Sequence, residues 1–227
     1  MSAVAGPDII QKNLVLCLDA GNKKSYSGAG SVWKELSNNM SAQLVNSPTF
    51  NSQNNGFFQF VTDDYARIPN NTTLDTQTPS VEVWIKTNAT NQLGFWFEKG
   101  TVNTQYSLFQ SNGSLIWRQN IGGTLIDLNI NTSNFINTSS WYQVVGTFIT
   151  GRRRLYINSN LVHSDTAAGT LSTNSGGMSI GAFGGYTGGK GYYYNGNLAI
   201  CRVYNKELSP TEILQNYNAT KGRFKLT

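Results

Sequence analysis

Apolar and polar residues alternate with a period of two through most of the chain, and the alternating runs are separated by glycine, asparagine or serine at intervals of about 8–12 residues. The clearest runs are 81–85 (V-E-V-W-I), 115–117, 125–128, 142–148, 155–157 and 178–182. Successive side chains of an extended segment point to opposite faces, so each run predicts a strand with one face toward a core. Helix-period spacing is absent until the end of the chain. There Ser209 supplies an N-cap, Pro210 a first-turn proline and Glu212 the acid of a capping box. Ile213, Leu214 and Tyr217 then fall on one face, with Gly222 just past the expected end. The pattern predicts an all-β, two-sheet antiparallel sandwich with polar outer faces. One short C-terminal helix, 209–220, is expected to plug one end of it or to bind a partner.

Composition adds size and surface. The 227 residues fit a single β-sandwich, with 1–12 expected as an N-terminal arm and 13–227 as one domain. Hydrophobic content of 39% suffices for a core, while 13% charged residues leaves a surface of Asn, Ser, Thr and Gly. No basic patch followed by an apolar run opens the sequence, and no stretch approaches the ~18–20 apolar residues of a membrane span. The expectation is a protein made in a cytoplasm, without a signal peptide and without membrane contact. In that setting Cys17 and Cys201 are expected as two reduced, core-facing thiols, although the first and last strands lie close enough in such a fold for a bridge.

The formal net charge of +5 is scattered, and no basic face with interleaved aromatics supports nucleic-acid binding. Its densest piece, Arg152-Arg153-Arg154, reads as a hairpin turn that is either solvated or in contact with an acidic partner. Residues 176–196 are rich in glycine and tyrosine. Tyr186, Tyr192, Tyr193 and Tyr194, with Trp96, are candidate platforms for a sugar ring or a neighbouring subunit; the same tyrosines would equally cover a core edge.

Catalysis finds little footing. Glycoside hydrolysis needs two carboxyl groups ~5–9.5 Å apart, and no run places acids at alternate strand positions. Glu82, mid-strand beside Trp84 on the same face, is the best single acid and reads as a structural hydrogen-bonding group. His163 is the only histidine and is expected near a strand end. The glycine segment has neither the spacing nor the following helix of a phosphate loop.

Several segments together resemble the laminin-G-like, concanavalin A-like jelly-roll family, in the branch found among phage virion proteins. They are 14–22 (L-V-L-C-L-D-A-G-N), 33–37 (W-K-E-L-S), 58–68 (F-Q-F-V-T-D-D-Y-A-R-I), 81–86 (V-E-V-W-I-K), 141–148 (W-Y-Q-V-V-G-T-F), 155–158 (L-Y-I-N) and 195–217. The resemblance implies a jelly roll and a non-enzymatic virion module, decorating a capsid or forming part of a fibre or spike. Its partners would be other virion proteins, further copies of itself, or a host surface glycan. A lectin-like adhesin and an atypical glycoside hydrolase are the alternatives. The family also implies a possible calcium ion, for which Asp63 and Asp64, with Asn70 or Asn71, are the candidate ligands; Val61-Thr62 departs from the family's pattern there.

Overall fold

The computed structural model describes residues 8–100, 104–184 and 191–227. Its strands are β1 (Leu14–Asp19), β2 (Val32–Lys34), β3 (Ser41–Val45), β4 (Thr49–Asn51), β5 (Phe57–Phe60), β6 (Tyr65–Ile68), β7 (Pro79–Thr87), β8 (Gly94–Lys99), β9 (Tyr106–Ser111), β10 (Ser114–Ile121), β11 (Thr124–Asn131), β12 (Tyr142–Ile149), β13 (Arg152–Ile157), β14 (Asn160–Asp165), β15 (Met178–Ile180) and β16 (Gly196–Asn205), followed by the helix α1 (Pro210–Thr220). The first sheet has the order β14-β13-β12-β7-β16-β5-β4, with β1 also on β16; the second has the order β11-β10-β9-β8-β15-β6-β3-β2. All pairings are antiparallel. This is the two-sheet antiparallel sandwich that the alternation predicts, in the jelly-roll form that the family resemblance implies.

One core fills the space between the sheets. Val81, Val83 and Ile85 of β7, with Leu16 and Leu18 of β1, face Trp96, Phe97, Tyr106, Leu108 and Trp117 of the second sheet. The Trp117 ring packs directly on the β12 backbone at Gly146, where a Cβ would stand 2.5 Å from it. Trp117 Nε1 donates to the Thr147 carbonyl at 3.0 Å, so the indole is anchored on the opposite sheet by its one polar atom.

The first sheet is covered on its outer face as well, which the alternation does not predict. Trp84, Ile200, Phe57 and Trp141 meet Tyr217 and Phe224 there, while Val145, Tyr156 and Tyr204 meet Leu208 and Ile213. The helix therefore lies across this face rather than plugging an end. Its start is as expected: Ser209 Oγ accepts from Glu212 N–H and Glu212 Oε2 accepts from Ser209 N–H at 2.9 Å. Its far end differs. The α-helix runs on into a 3-10 turn over Lys221–Phe224, so Gly222 is inside a turn and is not the residue that ends the helix. Leu214 is 45% exposed, and the buried positions are Ile213, Asn216, Tyr217 and Thr220. Residues 8–12 do not hang free. Ile10 N–H donates to Asn216 Oδ1 at 2.8 Å, and Gln215 Nε2 donates to the Asp8 carbonyl at 2.7 Å.

The W-K-E-L-S turn owes its shape to Glu35, whose buried carboxylate accepts from Cys17 N–H at 2.7 Å and Ser37 N–H at 2.6 Å, and also from Asn38 N–H. Cys17 and Cys201 are free thiols on paired strands. Cys201 faces the core, but Cys17 stands opposite Arg202 on the outer face, one register step away, so only one of the two thiols is core-facing.

Candidate ligand-binding face

Position decides what each predicted site residue can do. Trp96 and Tyr194 are buried, their rings 6.2 Å apart edge to face, and neither is available as a sugar platform. The three arginines are not the turn itself but the first residues of β13. Arg153 is buried and reaches across to the second sheet, bonding Gln119 Oε1 at 3.1 Å and the Ile126 carbonyl at 2.9 Å, while Asp165 Oδ1 of the adjacent β14 accepts from it at 2.8 Å. Arg152 and Arg154 both pair with Glu207. All three are ion-paired within the fold, Arg152 and Arg154 sharing the one carboxylate of Glu207. Tyr186 lies outside the described residues.

The calcium residues do not form a cage. Asp64 turns its carboxylate back onto Val61 N–H at 3.1 Å, closing the β5–β6 turn, and its burial raises its pKa. Asn71 caps a short 3-10 turn through Thr73 N–H, and Asn70 Oδ1 accepts from Lys99 Nζ. Among the described residues no group of three or more His, Cys, Asp or Glu side chains is arranged to hold a metal. These residues do not fit the ion that the family implies.

Glu82 is buried under the helix and accepts four bonds: from Trp84 Nε1 and Gln143 Nε2 at 3.0 Å, and from Arg202 and Asn216 Nδ2 at 2.8 Å. It is a structural acid, as expected from its position beside Trp84. His163 lies within β14, not at its end, and is exposed.

Tyr192 and Tyr193 are placed differently. They sit on a return segment whose backbone is bonded to its neighbours: Tyr194 N–H to the Gly181 carbonyl at 2.8 Å, Phe95 N–H to the Tyr192 carbonyl at 3.3 Å. This segment runs alongside β8, next to the outer face of the second sheet, a face that no α-helix covers among the described residues. Phe95 and Phe109 stack there at 4.2 Å with an interplanar angle of 5°, and the Arg118 guanidinium lies 4.8 Å over Phe109. Tyr192 adds a further ring, 6.4 Å from Phe95 and 5.8 Å from Phe183, and is 51% exposed. Its φ of +55° shows that the surrounding structure holds it in a conformation uncommon for a tyrosine. Tyr193 is half-buried, with its ring 6.4 Å from Tyr65.

Beside the aromatic row runs a polar one. Strand register places Arg67, Ser179, Glu98, Ser107, Arg118 and Asp127 in line across β6, β15, β8, β9, β10 and β11. Glu98 is buried, accepts from Thr104 Oγ1 at 2.7 Å and from Gly184 N–H, and burial pushes its pKa up to about 7. Sequence reasoning misses Glu98 because of a bulge between Phe95 and Phe97 that puts Trp96 and Phe97 both inward. Strict alternation would put Glu98 on the opposite face from Phe95. The second acid of the row, Asp127, is held by Arg118 at 2.7 Å and lies three strand spacings away, ~14 Å. That separation exceeds the span of a glycosidic acid pair.

A family model described as the concanavalin A-like lectin/glucanases superfamily matches residues 60–214. No curated protein sequence matches the chain. Among solved structures, the binding domain of Paraclostridial mosquitocidal protein 1 is similar with a TM-score of 0.72 and 17% identity over 91% of this chain and 52% of that one. The receptor binding domain of botulinum neurotoxin C/D mosaic serotype gives 0.68 and 19%, over 90% and 51%. A botulinum neurotoxin type C structure, described with cell entry dependent upon interaction with two ganglioside molecules, gives 0.69 and 16%, over 92% and 51%. This chain spans about half the length of these structures.

Proposed function

The chain belongs to the concanavalin A-like lectin/glucanase superfamily, and from that premise we propose that it is a non-enzymatic recognition module that binds a surface glycan on the outer face of its second sheet. Tyr192 carries this reading. Its ring is half exposed, braced by Phe95 and Phe183, and fixed by a hydrogen-bonded backbone before any ligand arrives. A flat apolar ring with a polar tip suits the C–H face and hydroxyl rim of a sugar, and a surface ordered in advance loses little entropy on binding. The distance between Glu98 and Asp127 and the occupied carboxylate of Glu82 support recognition over hydrolysis. So does the company of structures named as binding domains.

Tyr192→Ala tests the assignment. On a glycan array the variant is expected to lose every signal given by the parent protein, with an unchanged far-ultraviolet circular dichroism spectrum. An unaltered glycan profile would remove the platform. A phage particle, where the module would decorate the capsid or form part of a fibre or spike and meet a host glycan, is the setting proposed from the sequence resemblance; mass spectrometry of purified particles checks it.

A further inference from the structure

Arginine is ion-paired almost everywhere among the described residues. Arg118 pairs with Asp127, Arg152 and Arg154 with Glu207, Arg153 with Asp165, Arg202 with Glu82 and Arg223 with Asp19. The seventh arginine of the sequence, Arg67, has no ion pair and no side-chain hydrogen bond among the described residues. It shares the ligand-binding face with Arg118, which Asp127 holds. It stands in the middle of the second sheet, half-buried, opposite Gln43 on one side and Ser179 on the other. Tyr65, two residues earlier on the same strand and face, lies under the Tyr193 ring.

Two of the acids nearby are committed elsewhere. Asp64 holds the Val61 amide, and Glu98, beyond Ser179 in the row, is taken by Thr104 and Gly184. Asp63 makes no ion pair among the described residues. A guanidinium partly withdrawn from water, its forked donors without a side-chain bond among the described residues, offers a site for an oxyanion, which it can hold by two parallel charge-assisted bonds.

We infer that Arg67 is the anion-holding residue of the glycan site, so that the face of Tyr192, Tyr193 and Arg67 selects an acidic saccharide over its neutral counterpart. This rests on the proposed glycan function, and it moves the expected contact with acidic groups from Arg152–Arg154 to a position with a free guanidinium. The aromatic rings beside it favour a sugar over an acidic peptide as the carrier of the charge.

Binding to immobilised hyaluronan, heparin, dextran and poly-glutamate, at low and at physiological salt, tests the inference. The parent protein is expected to retain an acidic polysaccharide at least ~10-fold more tightly than dextran, and salt should weaken that binding. Hyaluronan against heparin separates a carboxylate from a sulfate as the group held. Arg67→Gln should bring acidic binding down to the dextran level with the fold intact by circular dichroism. Arg67→Lys should recover part of it, and Arg152→Gln should change nothing. Equal binding by Arg67→Gln and the parent would overturn the role of Arg67 while leaving a Tyr192-dependent glycan site standing. Preference for dextran, or poly-glutamate binding as tight as the polysaccharides, would overturn the acidic-sugar specificity. Loss of acidic binding in Arg67→Gln with none in Tyr192→Ala would instead uphold the anion site and sink the platform reading.

Discussion

Two buried glutamates show how one side chain acquires opposite characters. Glu82 is met by a guanidinium, an indole and two amides, so its charge is compensated where it is formed. Glu98 receives only neutral donors at close range, and desolvation dominates, lifting its pKa from 4.5 to about 7. The folded protein therefore retains a proton on Glu98 between pH 4.5 and 7 that the unfolded chain has released. By linkage, stability contributed by this group is present below pH 4.5 and is lost as pH rises toward 7, a change of ~3 kcal/mol. Glu98→Gln, which cannot ionise, should remove that slope: denaturant midpoints of parent and variant should diverge in the variant's favour from pH 5 to pH 8. Parallel midpoints across that range would show that the carboxyl is solvated and not buried.

At the scale of elements, the C-terminal helix is held by two kinds of information, only one of them local. Its start was legible because a capping box is written in four consecutive residues, and Ser209→Ala should lower stability by ~0.5–2 kcal/mol through loss of the N-cap acceptor. Its facing was not legible. Ile213 and Leu214 are adjacent apolar residues, and a 3.6-residue period does not say which of them the sheet will take. The structure buries Ile213 against Tyr204 and Tyr156 and leaves Leu214 in solvent. Ile213→Ala should accordingly cost ~2–5 kcal/mol and Leu214→Ala less than ~0.5 kcal/mol, as read by chemical denaturation. The same limit hid the second covered face, since V-E-V-W-I reads as apolar-in and polar-out whether or not a helix lies over Glu82 and Trp84. The binding face was legible in part: the Gly/Tyr segment pointed to Tyr192 and Tyr193. Phe95, Phe109 and Glu98 come together only through a bulge and strand pairings that no local pattern encodes, and Arg67, inside an ordinary strand, is distinguished only by the partner it lacks.

The whole molecule is closed by its ends, because the first strand pairs with the last and β16 also joins β7 and β5. Contacts of such long sequence separation form only after large loops close, so this sheet should assemble late in folding. The closure also brings the only two cysteines within one register step of each other, the arrangement that would most readily suggest a bridge. Register decides against it. Cys201 pairs with Leu18 and points into the core, whereas Cys17 pairs with Arg202 and points to the opposite side, so the two Cβ vectors diverge across the sheet. Burial raises the pKa of both thiols; the Arg202 charge offsets part of the effect at each, and a hydrogen bond from Arg202 adds to the offset at Cys17. Neither should be a fast nucleophile while the sandwich is intact. Titration of unreduced protein with a thiol reagent is therefore expected to count two thiols after denaturation. In the native state, reaction should be slow and confined to Cys17 on the outer face. A count of zero after denaturation would mean that β1 and β16 pair in a register one residue away from this one, which would also turn the inward face of β1 outward and empty the core of Leu16 and Leu18.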